Sequence, residues 1–147
     1  MADVDEGDHE DVEAEEEDEE DDEDEDGDDG INHDEVILGN ITDLIYEIAR
    51  SYGNDFAPYF QQIASHLVEY TSDKHPKNDK NMALGCLSEV FAAAPGIIPT
   101  YFNDYLPLLE ANSNTGDSKV NRNVAYSLGI LAQHATLLFQ PHVNNAL

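Results

Sequence analysis

The sequence predicts an all-α protein: an α-solenoid of stacked helical hairpins, about two and a half of them, preceded by a disordered acidic segment. Three observations carry this. After position 34 the apolar residues recur at three- and four-residue steps, the spacing of helices with one buried face. The first two helical pairs repeat at a fixed offset of 42 residues. And 21 of the first 30 residues are Asp or Glu, with no Lys or Arg among them.

The acidic segment, residues 1–33, comes first. It contains an unbroken acidic run from Glu15 to Asp26. The formal charge of the whole chain is −27, and the residues after position 30 hold only 12 acids and 6 bases. Charge this dense cannot bury apolar surface, so the segment is expected to stay solvated and disordered. From residue 34 to 147 the chain is rich in Ala, Leu, Ile, Val, Tyr and Phe and is long enough for one folded domain.

Val36, Ile37, Ile41, Leu44, Ile45, Ile48 and Tyr52 mark one face of a first helix, with Asp34 as a candidate cap and Gly53 at its end. Phe56, Tyr59, Phe60, Ile63, Leu67 and Tyr70 mark a second, with Pro58 in its first turn, where a missing N–H costs nothing. A polar loop runs from Thr71 to Asn78. Met82, Leu84, Leu87, Val90 and Phe91 define the third helix, stopped at Ala94-Pro95-Gly96. The fourth carries Ile98, Tyr101, Phe102, Tyr105, Leu106, Leu108 and Leu109, with Pro99 in its first turn and a kink expected at Pro107. After the turn-rich stretch Asn112 to Asp117, the fifth runs from Ser118 to about His134 on Val120, Val124, Leu128 and Leu131. A sixth is expected to begin near Phe139-Gln140-Pro141 and to be cut off at Leu147. The hairpins are therefore about 34–70, 79–111 and 118–147, the last truncated.

The register is specific. Leu44 pairs with Cys86, Ile45 with Leu87, Glu47 with Glu89 and Ile48 with Val90; in the second helices Tyr59 pairs with Tyr101, Phe60 with Phe102 and Ile63 with Tyr105. A helical-hairpin period of about 40–47 residues marks HEAT or armadillo repeats. Each hairpin hides its apolar face only against the next, so a short stack is expected to be marginally stable and prone to self-association. A three- or four-helix bundle would bury the same faces but has no need of a fixed period. The aromatic groups around Tyr59 and Tyr101 repeat in register, as a core between repeats does.

Composition narrows the function. Cys86 is the only cysteine, so no intramolecular disulfide can form, which suits a reducing compartment. The acidic amino terminus is not that of a signal peptide. No apolar run approaches a membrane span. The negative charge argues against binding DNA, RNA or anionic lipid and makes basic protein the natural partner class. Asp22, Asp24, Asp26 and Gly27 match the opening of a calcium loop, but the eighth and twelfth positions are Asp29 and His33 and no helix enters it, so the match is read as chance. The six histidines have no zinc spacing, Cys86 reads as a core residue, and neither a catalytic constellation nor a phosphate loop is visible. No metal, cofactor or enzymatic activity is expected.

Three stretches carry a family resemblance: Ile37 to Leu44, Tyr52 to Phe60, and Asn123 to Gln133 within the helix that opens Asp117-Ser118-Lys119-Val120. That helix is similar to the first helix of a HEAT repeat. All three resemble a central part of the importin-beta-type nuclear transport receptors, nearest to those that carry ribosomal proteins and histones, over residues 34–147. The acidic block agrees in position and composition. One departure stands out: the family's Arg after the Val is Asn121 here, with Arg122 one place later, which puts the usual Asp–Arg ladder between repeats in question.

The resemblance implies a segment of a longer receptor that shuttles between cytoplasm and nucleus. Its partners would be basic protein cargo (ribosomal proteins, histones), the GTPase Ran, whose GTP form releases cargo, and the Phe-Gly nucleoporins of the pore. The candidate cargo-binding residues are Glu15, Glu16, Glu17, Asp18, Glu19, Glu20, Asp21, Asp22, Glu23, Asp24, Glu25 and Asp26, acting beside the face formed by the second helix of each hairpin. The groove between the first and third helices is the better nucleoporin candidate. A HEAT-repeat scaffold subunit and an acidic histone chaperone remain alternatives.

Overall fold

The computed structural model describes residues 32–143. Five helices of three turns or more make up nearly all of it: α1 (His33–Tyr52), α2 (Ala57–Tyr70), α3 (Lys77–Ala93), α4 (Ile98–Asn112) and α5 (Ser118–His134). A single turn, α6 (Thr136–Phe139), follows, and there is no strand among the described residues. This is the all-α, HEAT-type hairpin architecture that the period of 42 predicts.

Local chemistry sets the boundaries. Helix α1 starts on Asn32, whose side chain accepts the Glu35 N–H at 3.4 Å. Asn32 therefore does the capping expected of Asp34, which instead lies in the first turn, where a carboxylate suits the helix dipole. Gly53 ends α1 at φ 56° and ψ −134°, a conformation only glycine adopts freely, and returns its N–H to the Ala49 carbonyl. A 3-10 turn, Gly53–Phe56, leads into α2. Ala94 breaks α3, and a second 3-10 turn, Pro95–Ile97, leads into α4, so both hairpins turn in the same way. Helix α4 continues through Pro107, which lies on its exposed side. Asp117 caps α5 by accepting the Lys119 and Val120 N–H groups at 2.9 and 3.1 Å.

A 3-10 turn, Gln140–His142, follows α6, and helix resumes at Val143, so the expected sixth helix starts a few residues after Phe139 and its remainder to Leu147 lies outside the described residues. Ala135 takes the role Ala94 has after α3: each leaves the helix near φ −130° with its N–H on the carbonyl four residues back.

The helices form two layers. The first helix of each hairpin stacks on the next, α1 on α3 and α3 on α5, while α2 packs on α3 and α4 on α5. Between the layers lie Phe60, Leu84, Leu87, Val90, Phe91, Ile98, Leu109, Val120 and Leu131, all essentially solvent-free. Phe60 joins the first two hairpins: its ring stands edge-on to Phe91 at 5.6 Å and to Tyr101 at 5.0 Å. Phe56, Phe102 and Tyr105 are buried as the register implies, whereas Tyr59 is exposed and only brushes Tyr52 and Phe56.

Polar ties between hairpins follow the same period. Asn123 donates through Nδ2 to the side-chain and backbone oxygens of Asn81, at 2.8 and 3.0 Å, and the Gly96 N–H donates to Asn54 Oδ1 at 2.8 Å. Both pairs are 42 residues apart. Amides thus do the work of the Asp–Arg ladder questioned at Asn121, while Asp117 is engaged with its own helix. A Cβ on Gly96 would come within 2.8 Å of the Asn54 side chain, which is why this turn needs glycine.

The buried face of α1 is not the one its apolar pattern suggests. Leu38, Thr42 and Ala49 face α3 and are buried. Val36, Ile37, Ile41, Leu44, Ile48 and Tyr52 are exposed, Leu44 by 60%. Ile48 and Tyr52 instead line a cavity with α2, and Ile37 and Ile41 one with Tyr70 and His75. A helix in the first layer of a solenoid has two neighbours, and a periodicity count cannot tell which stripe meets which.

Candidate functional site

Charge is segregated between the two layers. All six Lys and Arg residues lie on the first-layer helices or on the loop before α3: Arg50 on α1, Lys74 in the loop, Lys77 and Lys80 on α3, Lys119 and Arg122 on α5. Helices α2 and α4 carry none. Their exposed charged residues are Glu69, Asp104 and Glu110, set among Gln61, Gln62, Thr100 and Asn103. Two bases are also occupied: Lys80 is buried and paired with Asp73, whose carboxyl it holds below the usual range, and Arg50 pairs with Glu47. The α2/α4 side thus offers acceptors and no competing cation. A shallow cavity of about 320 Å³ opens on it between Pro58 and Gln61 of α2 and Thr100 and Tyr101 of α4.

The twelve candidate residues Glu15 to Asp26 lie outside the described residues, so their geometry relative to α2 and α4 is not part of this picture. The α2/α4 acids are scattered singly among apolar positions, Glu69 on one helix and Asp104 and Glu110 on the other, so no motif marks them. The signal that would have found them is negative: two helices of 14 and 15 residues with no Lys or Arg in either.

In the first layer, the groove between α1 and α3 has a volume of about 390 Å³. Its walls are Asp43 and Tyr46 from α1 and Met82 and Glu89 from α3, with Gly85 and the Asn81–Asn123 amide pair beside them. Cys86 is buried against it, within 3.7 Å of the Thr42 carbonyl, and burial together with Asp43 and Glu89 pushes its thiol up to about 12. That thiol is protonated at neutral pH and is a core residue. Behind it, the hydroxyls of Ser88, Tyr105 and Ser127 form a buried cluster linking α3, α4 and α5, with Tyr105 Oη donating to Ser127 Oγ at 3.0 Å. Burial raises the Tyr105 phenol, which keeps it a donor.

A larger cavity, about 530 Å³, lies on the first hairpin between Ile45, Ile48 and Tyr52 of α1 and Tyr59 and Ile63 of α2. It is continuous with the exposed apolar stripe of α1. Among the described residues no three His, Cys, Asp or Glu side chains converge as a metal site would require, and no single helix is long and apolar enough to cross a membrane.

Comparison with known proteins agrees with this architecture. A family described as importin repeat 6 matches residues 3–73, the acidic block and the first hairpin together. The probable importin subunit beta-4 of Schizosaccharomyces pombe is 29% identical over 103 residues, 70% of this chain. The chain is similar to the importin-beta-type karyopherins. Importin-4 of Homo sapiens is 28% identical over 111 residues, and that of Mus musculus 29% over the same length, 75% of this chain in each case. The chain spans about 10% of the length of each of these relatives.

Proposed function

We propose that this chain is a cargo-binding segment of a nuclear import receptor, and that it receives a basic protein segment of the ribosomal-protein or histone-tail kind. The acidic residues Glu15 to Asp26 attract the cargo, and the α2/α4 side positions it. One observation carries the reading: every Lys and Arg lies off α2 and α4, so the second-layer helices meet a cationic segment with Glu69, Asp104 and Glu110 and no like charge. Exposed carboxylates in such an arrangement contribute mostly to encounter rate and little to affinity one by one, so the binding weakens steeply with salt. Gln61, Gln62 and Asn103 add directional hydrogen bonds that salt does not screen.

Release by Ran in its GTP form and shuttling between cytoplasm and nucleus belong to the same proposal and rest on the likeness to importins. So does contact with Phe-Gly nucleoporins, for which the apolar cavity beside Ile48 and Tyr52 is chemically better suited than the polar groove between α1 and α3.

The test is a fluorescence-anisotropy titration of a Lys/Arg-rich histone-tail peptide against three proteins: the wild type, a variant with Glu15 to Asp26 changed to Gln and Asn, and Asp104→Asn/Glu110→Gln. Both variants should weaken binding, and the first should also flatten its salt dependence. A scaffold subunit would bind none of the three differently. An acidic chaperone would lose everything with the block and nothing with Asp104 and Glu110.

A further inference from the structure

The groove between α1 and α3 has a chemistry that cargo binding on the other layer leaves unused. Two carboxylates from different helices, Asp43 and Glu89, border one open space of about 390 Å³. Burial and then both carboxylates push the Cys86 thiol up, and burial with Glu89 and Tyr46 raises the phenol of Tyr126 on α5, so these groups share one neighbourhood. Neither carboxylate is paired with a Lys or Arg among the described residues, although Glu47 on α1 and Asp73 before α3 both are. Tyr46 gives the groove a half-buried aromatic wall, and Gly85 leaves its α3 side without a side chain.

We infer that this groove is a binding site for an arginine side chain of a partner protein, held by Asp43 and Glu89 and stacked on Tyr46. A planar guanidinium offers donors in two directions and a flat face, matching two carboxylates and a ring, whereas an ammonium offers a single point of charge. A phenylalanine would fit the volume but would strip water from both carboxylates without replacing their hydrogen bonds. The site lies in the first layer, away from α2 and α4, and stands or falls separately from the cargo proposal.

The test uses the full chain labelled with 3-fluorotyrosine, the Tyr46 and Tyr126 resonances being assigned by Tyr→Phe changes. The probe is the uncharged-ended peptide acetyl-Gly-Arg-Gly-amide at physiological salt, with the Lys and Phe analogues as comparisons. The site predicts a saturable shift of Tyr46 with the Arg peptide, a weaker one with Lys and none with Phe. Asp43→Asn/Glu89→Gln should reduce the affinity at least about fivefold without moving the melting temperature, and Glu47→Gln should change nothing. Asp43→Asn alone, at an exposed position, serves if the double change perturbs folding, and Gly85→Ala, whose Cβ would meet Asn123 at an ordinary 3.5 Å, should also weaken binding by narrowing the groove. An unmoved Tyr46, a shift that survives both Asp43→Asn and the double variant, or an equal response to the Phe peptide would overturn the assignment.

Discussion

The first and second hairpins share a register but not a surface. Ile48 is 37% exposed and its counterpart Val90 is fully buried; Leu44 is 60% exposed and Cys86 is 5%. Tyr52 is open to solvent where Ala94 is enclosed, and Tyr59 is open where Tyr101 packs on Phe60. The residues are equally apolar or more so in the first hairpin, so hydrophobicity does not explain the difference. Neighbours do. Helix α3 has α1 on one side and α5 on the other, while α3 is the one first-layer neighbour of α1 among the described residues. In a repeat protein, burial belongs to the interface and only secondarily to the residue.

That contrast can be broken most sharply at the junction. Phe60→Ala empties the space between Phe91 and Tyr101 and is expected to cost about 3–5 kcal/mol, enough to uncouple the hairpins, whereas Tyr59→Ala next to it should change little. Urea denaturation followed by circular dichroism reads both. Next in size, Leu87→Ala, at 1% exposure, should cost about 2–5 kcal/mol, while Leu44→Ser on the exposed side of α1 should stay within about 0.5 kcal/mol. Leu44→Ser combined with Ile48→Ser should also reduce self-association in sedimentation, because those side chains are part of the exposed apolar stripe.

Two smaller effects sharpen it. Ser127→Ala leaves the buried Tyr105 and Ser88 hydroxyls short of a partner and should cost about 1–3 kcal/mol, with no equivalent penalty at any exposed serine. Gly96→Ala displaces Asn54 from the turn and should cost about 1 kcal/mol, the worth of one hydrogen bond between hairpins. The smallest concerns pH. The α5 N–H groups of Val120 and Lys119 hold the Asp117 carboxyl below its ordinary value. Its folded pKa is depressed, so its contribution is present at neutral pH and is lost as pH falls through that lowered value. Acid unfolding of wild type and Asp117→Ala should therefore converge at low pH and differ near neutrality.

Much of the fold was legible because helices repeat what they bury. The offset of 42 located four of the five main helices to within two residues, and Asn54, Asn81, Gly96 and Asn123 sit on that same spacing as hydrogen-bonded pairs. The face of α1 was not legible: Leu38 and Thr42 each follow an isoleucine, Ile37 and Ile41, and only the packing of α3 shows which pair is enclosed. Nor could the α1/α3 groove be assembled from spacing, since Asp43 and Glu89 are 46 residues apart in the chain and meet only when two hairpins stack. The single turn α6 was not legible, and Pro141, which resembles the first-turn prolines Pro58 and Pro99, sits in a 3-10 turn just before helix resumes at Val143.

The claim at the centre of this account is that a basic segment is received by the α2/α4 layer with the acidic block. The most direct measurement is photo-crosslinking of a Lys/Arg-rich peptide to the full chain at physiological salt, with adducts located by mass spectrometry. The account predicts adducts within Glu15 to Asp26 and on α2 and α4, around Gln61, Asp104 and Glu110. Adducts confined to α1, α3 and α5, where all the helical Lys and Arg residues lie, would contradict it.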